Sequence, residues 1–134
     1  MAGKKSFDLD AATSALRHLF REKGFDGTSV ADMELATGLH RSSLYNAFGD
    51  KKKAFLLVLE NHRITVERRF LAELNKPDIV CALRSLLEAQ IASLSSQKLP
   101  AGCLTTNSCT EIGCHGRDFD EAISGVLEEI EHSI

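Results

Sequence analysis

Apolar positions in the first part of the chain recur at the three- and four-residue steps of an α-helix. The first such stripe consists of Leu9, Ala12, Leu16, Leu19 and Phe20. It predicts a helix from about Leu9 to Lys23 that buries one face. Asp8 is the expected N-cap, and Gly24 follows the helix as a residue that adopts positive φ at little cost.

Two short helices are predicted next, separated by a tight turn at Gly38. The first begins at Thr28 or Ser29, because either hydroxyl can cap helical N–H groups. The second runs from about Arg41 to Phe48, with Leu44 and Phe48 one turn apart on its inner face. Two short helices joined in this way are typical of a helix-turn-helix.

The remaining pattern is also helical. A long helix is predicted from about Lys51 to Leu74, a fifth from about Ile79 to Ser95 and a shorter one from Cys103 to Ile112. A last helix begins at Asp118, whose spacing to an acidic residue three positions later resembles a capping box. The sequence therefore predicts an all-α fold.

Composition and charge are compatible with a globular protein that binds DNA through its N-terminal part. Of the 134 residues, 43% are hydrophobic and 26% charged, and two are proline. The formal net charge is −3, but residues 1–53 carry +2 and residues 54–134 carry −5. Phosphate affinity depends on the local field rather than on the whole chain. With neither a long apolar run nor a signal sequence evident, a cytoplasmic, bacterial protein is expected.

The second short helix has side chains that suit the major groove of DNA. Its small or polar outward residues are Ser42, Ser43, Tyr45, Asn46 and Ala47. Arg41 can pair with guanine, Asn46 with adenine, and either serine with several bases. Tyr45 and Lys51 can hold phosphates, the lysine at a helix N-terminus. The alternative is a solvated three-helix bundle that has no DNA partner.

Three stretches resemble the tetracycline-repressor (TetR) family: residues 20–30 (FREKGFDGTSV), 36–39 (ATGL) and 43–51 (SLYNAFGDK). The resemblance spans about residues 9–60. It implies an all-helical, homodimeric transcriptional regulator, usually a repressor that a small ligand releases from its operator.

The resemblance also assigns residues to DNA. It implies that Thr28 caps the second helix and touches phosphate, and that Tyr45 and Lys51 hold the backbone. The residues implied to face the groove are His40, Arg41, Ser42, Ser43, Asn46 and Ala47. Two positions depart from the family: His40 is commonly serine there and would add a pH-sensitive cap or contact, and Ala47 is commonly aromatic or histidine.

Chain length is the larger departure, since family members typically continue well past residue 134. The expected organisation is a DNA-binding domain at residues 1–50 and a helical ligand-binding and dimerisation domain at residues 51–134, incomplete at its C-terminus. How such a chain dimerises is left open by the sequence.

Cysteine and polar residues of the second half supply candidates for sensing. Cys103, Cys109 and Cys114 could react as thiol sensors or bind a soft metal, but their spacing matches no common zinc pattern, so neither a metal nor another cofactor is expected. The alternative is that Cys81 and Cys103 are small buried residues.

Further ligand-lining candidates are His62, Gln90 and Asn107; ordinary surface or interhelical contacts are the alternative for each. Since the sequence shows no catalytic set, an enzyme is not expected. The sequence thus predicts a homodimeric repressor released from its operator by a small-molecule or thiol-reactive signal. The alternative is a truncated interaction protein that pairs with a full-length relative without itself binding DNA productively.

Overall fold

The computed structural model describes residues 8–75, 77–95, 102–112 and 116–132. Within these ranges it is built of seven α-helices and has no strand, which confirms the predicted all-α class. The helices are α1 (Leu9–Lys23), α2 (Val30–Thr37), α3 (Arg41–Phe48), α4 (Lys51–Leu74), α5 (Ile79–Ser95), α6 (Leu104–Ile112) and α7 (Arg117–His132). None of the described helices combines the length and apolar character needed to cross a membrane.

The first two helices begin at side-chain caps. Asp8 accepts hydrogen bonds from the backbone N–H groups of Asp10 (3.0 Å) and Ala11 (3.2 Å), as predicted. The cap of α2 is Ser29, which exchanges hydrogen bonds with Asp32 in a capping box. The assignment of the cap to Thr28 is therefore wrong, since that hydroxyl donates to the Gly24 carbonyl at 2.6 Å.

The start of α7 differs from its prediction as well. The helix begins at Arg117, so Asp118 is its second residue and not its cap. The Gly116 carbonyl accepts from the N–H groups of Phe119 and Asp120 instead. A backbone turn thus starts the helix where the sequence indicated a side-chain cap.

A cluster of four phenylalanine rings joins the N-terminal helices to the rest of the chain. Phe55 of α4 has its centroid 4.9 Å from that of Phe20, 5.1 Å from that of Phe25 and 5.8 Å from that of Phe119 in α7. Phe55 is 1% exposed. Helix α7 therefore packs into the core that also supports α1, and the division at residue 50 stays a prediction about roles.

Helix α5 packs on α4 through buried Ala82 and leaves an apolar surface exposed. The exposed side chains of this surface are Ile79, Val80, Leu83, Leu87 and Ile91.

Candidate nucleic-acid interface

The turn between α2 and α3 sets the angle of a helix-turn-helix. Gly38 adopts the left-handed conformation (φ 68°, ψ 12°), and its N–H donates to the Glu34 carbonyl at 2.9 Å. Positive φ is cheap only for glycine, so this residue closes α2 and redirects the chain. Met33 on α2 and Leu44 and Phe48 on α3 are buried together and fix the two helices on the core.

One face of α3 is exposed and polar, and it holds most of the side chains predicted to face the groove. The exposed members are His40, Arg41, Ser42, Tyr45 and Asn46, and Ser43 is half-buried beside them. The Arg41 guanidinium lies 5.9 Å from the centre of the Tyr45 ring, one turn further along the helix. An aromatic face at that distance attracts a cation and limits where it can point.

Two predicted DNA contacts do not lie on this face. Ala47 is half-buried and packs against the core, because its spacing from Leu44 and Phe48 places it on the same inner stripe. Thr28 is 1% exposed, and its hydroxyl is held by a backbone carbonyl. The Thr28 side chain therefore cannot meet DNA in this geometry, and a groove contact by the half-buried Ala47 stays a prediction.

His40 occupies the N-cap position of α3 but makes no side-chain capping hydrogen bond. The expected pH-sensitive cap is therefore absent from this geometry. The N–H groups of the first turn of α3 are left without a side-chain acceptor from the cap residue. Such N–H groups, at the positive end of a helix, favour an anion such as a phosphate.

Lys51, predicted to hold phosphate, has a structural task in the fold. Its Nζ donates to the carbonyl oxygens of Phe25 (3.0 Å) and Thr28 (3.1 Å) and lies 4.3 Å from the centre of the Phe25 ring. The lysine thereby ties the start of α4 to the loop that precedes α2. A phosphate contact through its third N–H stays a prediction.

Helix α6 is anchored to the end of α1 by two side chains. The Glu111 carboxylate accepts from the backbone N–H groups of Phe25 (2.9 Å) and Asp26 (2.6 Å). The Asn107 amide donates to the Arg21 carbonyl at 3.3 Å. This contact is the interhelical alternative for Asn107, and its predicted role in lining a ligand pocket stays a prediction. Glu111 had no predicted role, because its partners lie 85 and 86 residues away.

The sensing candidates fall into separate places. The imidazole of His62 on α4 hydrogen-bonds the thiol of Cys103, next to α6. Gln90 is exposed on α5 and Cys109 is exposed on α6, so neither belongs to that pair. Cys114 lies outside the described residues.

The environment of Cys103 favours its thiolate. The hydrogen bond from His62 is the largest influence that lowers the pKa of the thiol to about 6; partial burial opposes it, and the N–H groups of Thr106 and Thr105 assist. Cys103 immediately precedes α6, and its carbonyl accepts from the Asn107 N–H at 2.9 Å, so the thiol sits at the N-cap of that helix. Thiolates are stabilised at such positions.

Comparison with protein families matches residues 12–58 to the model described as bacterial regulatory proteins, tetR family. The match covers α1 from Ala12 onward, both short helices and the start of α4. It therefore falls on the segment in which the sequence and the structure place the helix-turn-helix.

Two curated relatives are similar over most of the chain. The HTH-type transcriptional repressor ComR of Escherichia coli strain K12 is 33% identical over 117 residues, which is 86% of this chain and 56% of that protein. The HTH-type transcriptional repressor BdcR of the same organism is 34% identical over 117 residues, 85% of this chain and 56% of that protein. The chain thus spans little more than half the length of these relatives.

Solved structures share the fold at lower identity. The reduced form of E. coli NemR superposes with a TM-score of 0.77 at 20% identity, covering 93% of this chain and 66% of that one. A TetR transcriptional regulator from Chloroflexus aurantiacus superposes with a TM-score of 0.76 at 23% identity, covering 94% and 64%. At these identities the likeness concerns the arrangement of helices.

Proposed function

The chain belongs to the TetR family of bacterial regulatory proteins, as its sequence predicted, and on this premise we propose that it is a sequence-specific DNA-binding transcriptional regulator. The observation that carries the proposal is the exposed polar face of α3, presented by a buried apolar face on the same helix. A helix so presented can enter the major groove.

Each exposed side chain of α3 has a definite task in this proposal. Arg41, oriented by the ring of Tyr45, donates two hydrogen bonds to guanine. Asn46 pairs with adenine, and Ser42 contacts a neighbouring base edge. The uncapped N-terminus of α3 and the Tyr45 hydroxyl hold phosphates, which position the helix without reading sequence.

The proposed regulator is a homodimeric repressor that acts in the cytoplasm. The similar proteins ComR and BdcR are named repressors, and the exposed apolar surface of α5 is of the kind that covers a ligand or a partner. In a dimer, two copies of α3 reach half-sites roughly 34–36 Å apart. A small-molecule or thiol-reactive signal that moves α4 or α6 changes that spacing and releases the operator. The relatives do not favour the alternative of a partner protein that binds no DNA productively.

Selection from a pool of random DNA duplexes tests the proposal. The full chain is expected to enrich one motif with two inverted half-sites whose centres are about 10 base pairs apart. Enrichment of a single half-site would contradict the proposed dimer but not the proposed DNA binding. Failure to enrich any motif at low salt, where phosphate contacts are strongest, would contradict the function itself.

A further inference from the structure

The two ends of the helix-turn-helix lie beside each other and are joined by one side chain. The chain enters the unit through residues 25–28, before α2, and leaves it through residues 49–51, where α4 begins. The Nζ atom of Lys51 donates to the carbonyl oxygens of Phe25 at 3.0 Å and Thr28 at 3.1 Å, across 26 and 23 positions of sequence. A lysine at the exit therefore binds the entry and closes the whole unit.

We propose that Lys51 is a positioning residue for DNA recognition, which holds α2 and α3 in the orientation that gives α3 its base preference. This role differs from a phosphate contact, because a phosphate contact adds affinity without reading sequence. The proposal rests on the proposed function, since it says how the helix that reads DNA is held in place.

The ammonium group of Lys51 lies in a site that matches its geometry. Its nitrogen is 4.3 Å from the centre of the Phe25 ring. That ring is buried and packs edge-on against Phe55 and Phe119, with centroids 5.1 Å away in each case, so the core fixes its position. An ammonium group carries three N–H donors and is attracted to an aromatic face. Two carbonyl oxygens and a fixed ring therefore define where Nζ lies.

Thr28 connects this site to the start of α2. Its carbonyl binds Lys51, its hydroxyl donates to the Gly24 carbonyl at 2.6 Å, and the residue is 1% exposed. The next residue is Ser29, the cap of α2, and from there the chain runs through one short helix and the Gly38 turn to α3. A displacement at Thr28 therefore moves α3 as well.

Base recognition makes α3 sensitive to such a displacement. Hydrogen bonds weaken steeply when the angle at the donor departs from its preferred range. A binding site keeps its specificity only when its side chains are held to within about 0.5 Å. Arg41 and Asn46 are the proposed base contacts of α3. Loss of the Lys51 contact is therefore expected to weaken binding to the selected duplex more than binding to an unrelated sequence.

Two lysine variants with the same change of charge test this role. Lys51→Met keeps the apolar stem and removes both hydrogen bonds, and Lys53→Met, at an exposed position of the same helix start, is the matched control. Fluorescence anisotropy at fixed salt measures the affinity of each variant for the selected duplex and for a shuffled duplex. The ratio of the two affinities is expected to fall at least about fivefold in Lys51→Met, which is the lower end for loss of one base contact, and to stay within about twofold of the wild type in Lys53→Met.

The outcome of this comparison decides the role of Lys51. Equal losses on both duplexes in Lys51→Met would indicate a phosphate contact alone and would overturn the positioning role, as would an unchanged affinity for both. Lys51→Met is expected to fold, because Glu111 still accepts from the N–H groups of Phe25 and Asp26 in the same loop. Circular dichroism checks this.

Labelling of the wild-type chain tests the contact without a variant and without DNA. The full chain is treated with limiting acetic anhydride, and the modified lysines are identified by fragment-ion mass spectrometry. Lys51 is half-buried and Lys53 is exposed. Because the Lys51 nitrogen must leave two carbonyls before it reacts, its modification is expected to be at least about fivefold slower than that of Lys53. Equal rates would overturn the proposed contact.

The two experiments separate this proposal from the proposed function. A wild-type chain that binds no selected duplex would contradict the function, and the labelling rates would still decide whether Lys51 joins the two ends of the helix-turn-helix. A chain that binds its duplex while Lys51→Met keeps the wild-type ratio would leave the function standing and overturn the positioning role alone.

Discussion

Replacing Glu111 by glutamine tests the anchor between α6 and the end of α1. The carboxylate accepts two backbone hydrogen bonds, from Phe25 and Asp26, at 2.9 and 2.6 Å. Glutamine keeps the shape but offers one acceptor oxygen, and its amide N–H groups face a backbone donor. The substitution therefore removes the charge, breaks one hydrogen bond and leaves a donor opposite a donor.

The expected cost follows from the bonds that are lost. A hydrogen bond to a charged acceptor contributes about 1.5–3 kcal/mol. Because Asp26 is exposed, water replaces part of the lost interaction, and we expect about 1–2 kcal/mol for Glu111→Gln. For a chain of 134 residues this lowers Tm by about 4–7 °C.

Thermal unfolding followed by circular dichroism measures this shift. Glu88→Gln on the exposed surface of α5 is the matched control. Surface substitutions usually change the free energy of unfolding by less than about 0.5 kcal/mol, so its Tm is expected to stay close to that of the wild type. Equal Tm values for the two variants would refute the reasoning that Glu111 is the anchor.

Three further predictions concern the turns and caps of the N-terminal segment. Gly24→Ala is expected to destabilise the fold more than Gly38→Ala. Both glycines have positive φ, but a Cβ at Gly24 would meet the Glu111 carboxylate, whereas the space at Gly38 is open. Urea titrations measure the difference, and equal unfolding midpoints for the two variants would contradict it. Ser29→Ala is expected to cost about 1 kcal/mol through loss of the α2 cap, and Ser29→Thr, which keeps the hydroxyl, to recover most of it; an undiminished urea midpoint in the alanine variant would count against the capping box. Lys23, followed by Ser29, holds the pKa of Asp32 well below its usual range, so this carboxylate stabilises the fold above its unfolded pKa of about 3.9 and the effect is lost as pH falls below that value. The difference between the urea midpoints at pH 3 and pH 7 is expected to be smaller in Asp32→Asn than in the wild type. The same difference in both proteins would argue against a contribution of the Asp32 carboxylate to this pH dependence.

Local signals made the helices predictable. The apolar stripe of α1 lies between Asp8 and Gly24, and both ends were found where a capping side chain and a positive-φ glycine indicate them. Gly38 likewise marked the turn before α3. The cap of α2 was ambiguous because Thr28 and Ser29 are adjacent hydroxyl residues, and only the fold shows that the first hydroxyl is used by the Gly24 carbonyl.

The exposed face of α3 was predictable for the same reason, but the predicted face was one residue too wide, because it included the half-buried Ala47. Ala47 stands three residues after Leu44 and one before Phe48, so the helical period itself places it inward. The family position had suggested a groove contact for it. The period, applied strictly, would have given the observed burial.

Long-range partners could not be read from local pattern. Glu111 meets Phe25 across most of the chain, and His62 meets Cys103 from a different helix. Neither pair has a sequence spacing that marks it, because each depends on how α6 packs against α1 and α4. Cys103 was predicted among the sensing candidates, but its activation by His62 emerges only from the packed helices.

Affinity for the selected duplex is the most direct test of the claim that α3 reads DNA. Fluorescence anisotropy compares the wild-type chain with Arg41→Ala, Asn46→Ala and the control Glu88→Gln at fixed salt. Each α3 variant is expected to bind about 5- to 150-fold more weakly, which corresponds to about 1–3 kcal/mol per base contact, and to lose preference at one base pair. The control is expected to bind as the wild type does. Wild-type affinity and unchanged base preference in both folded α3 variants would contradict the claim.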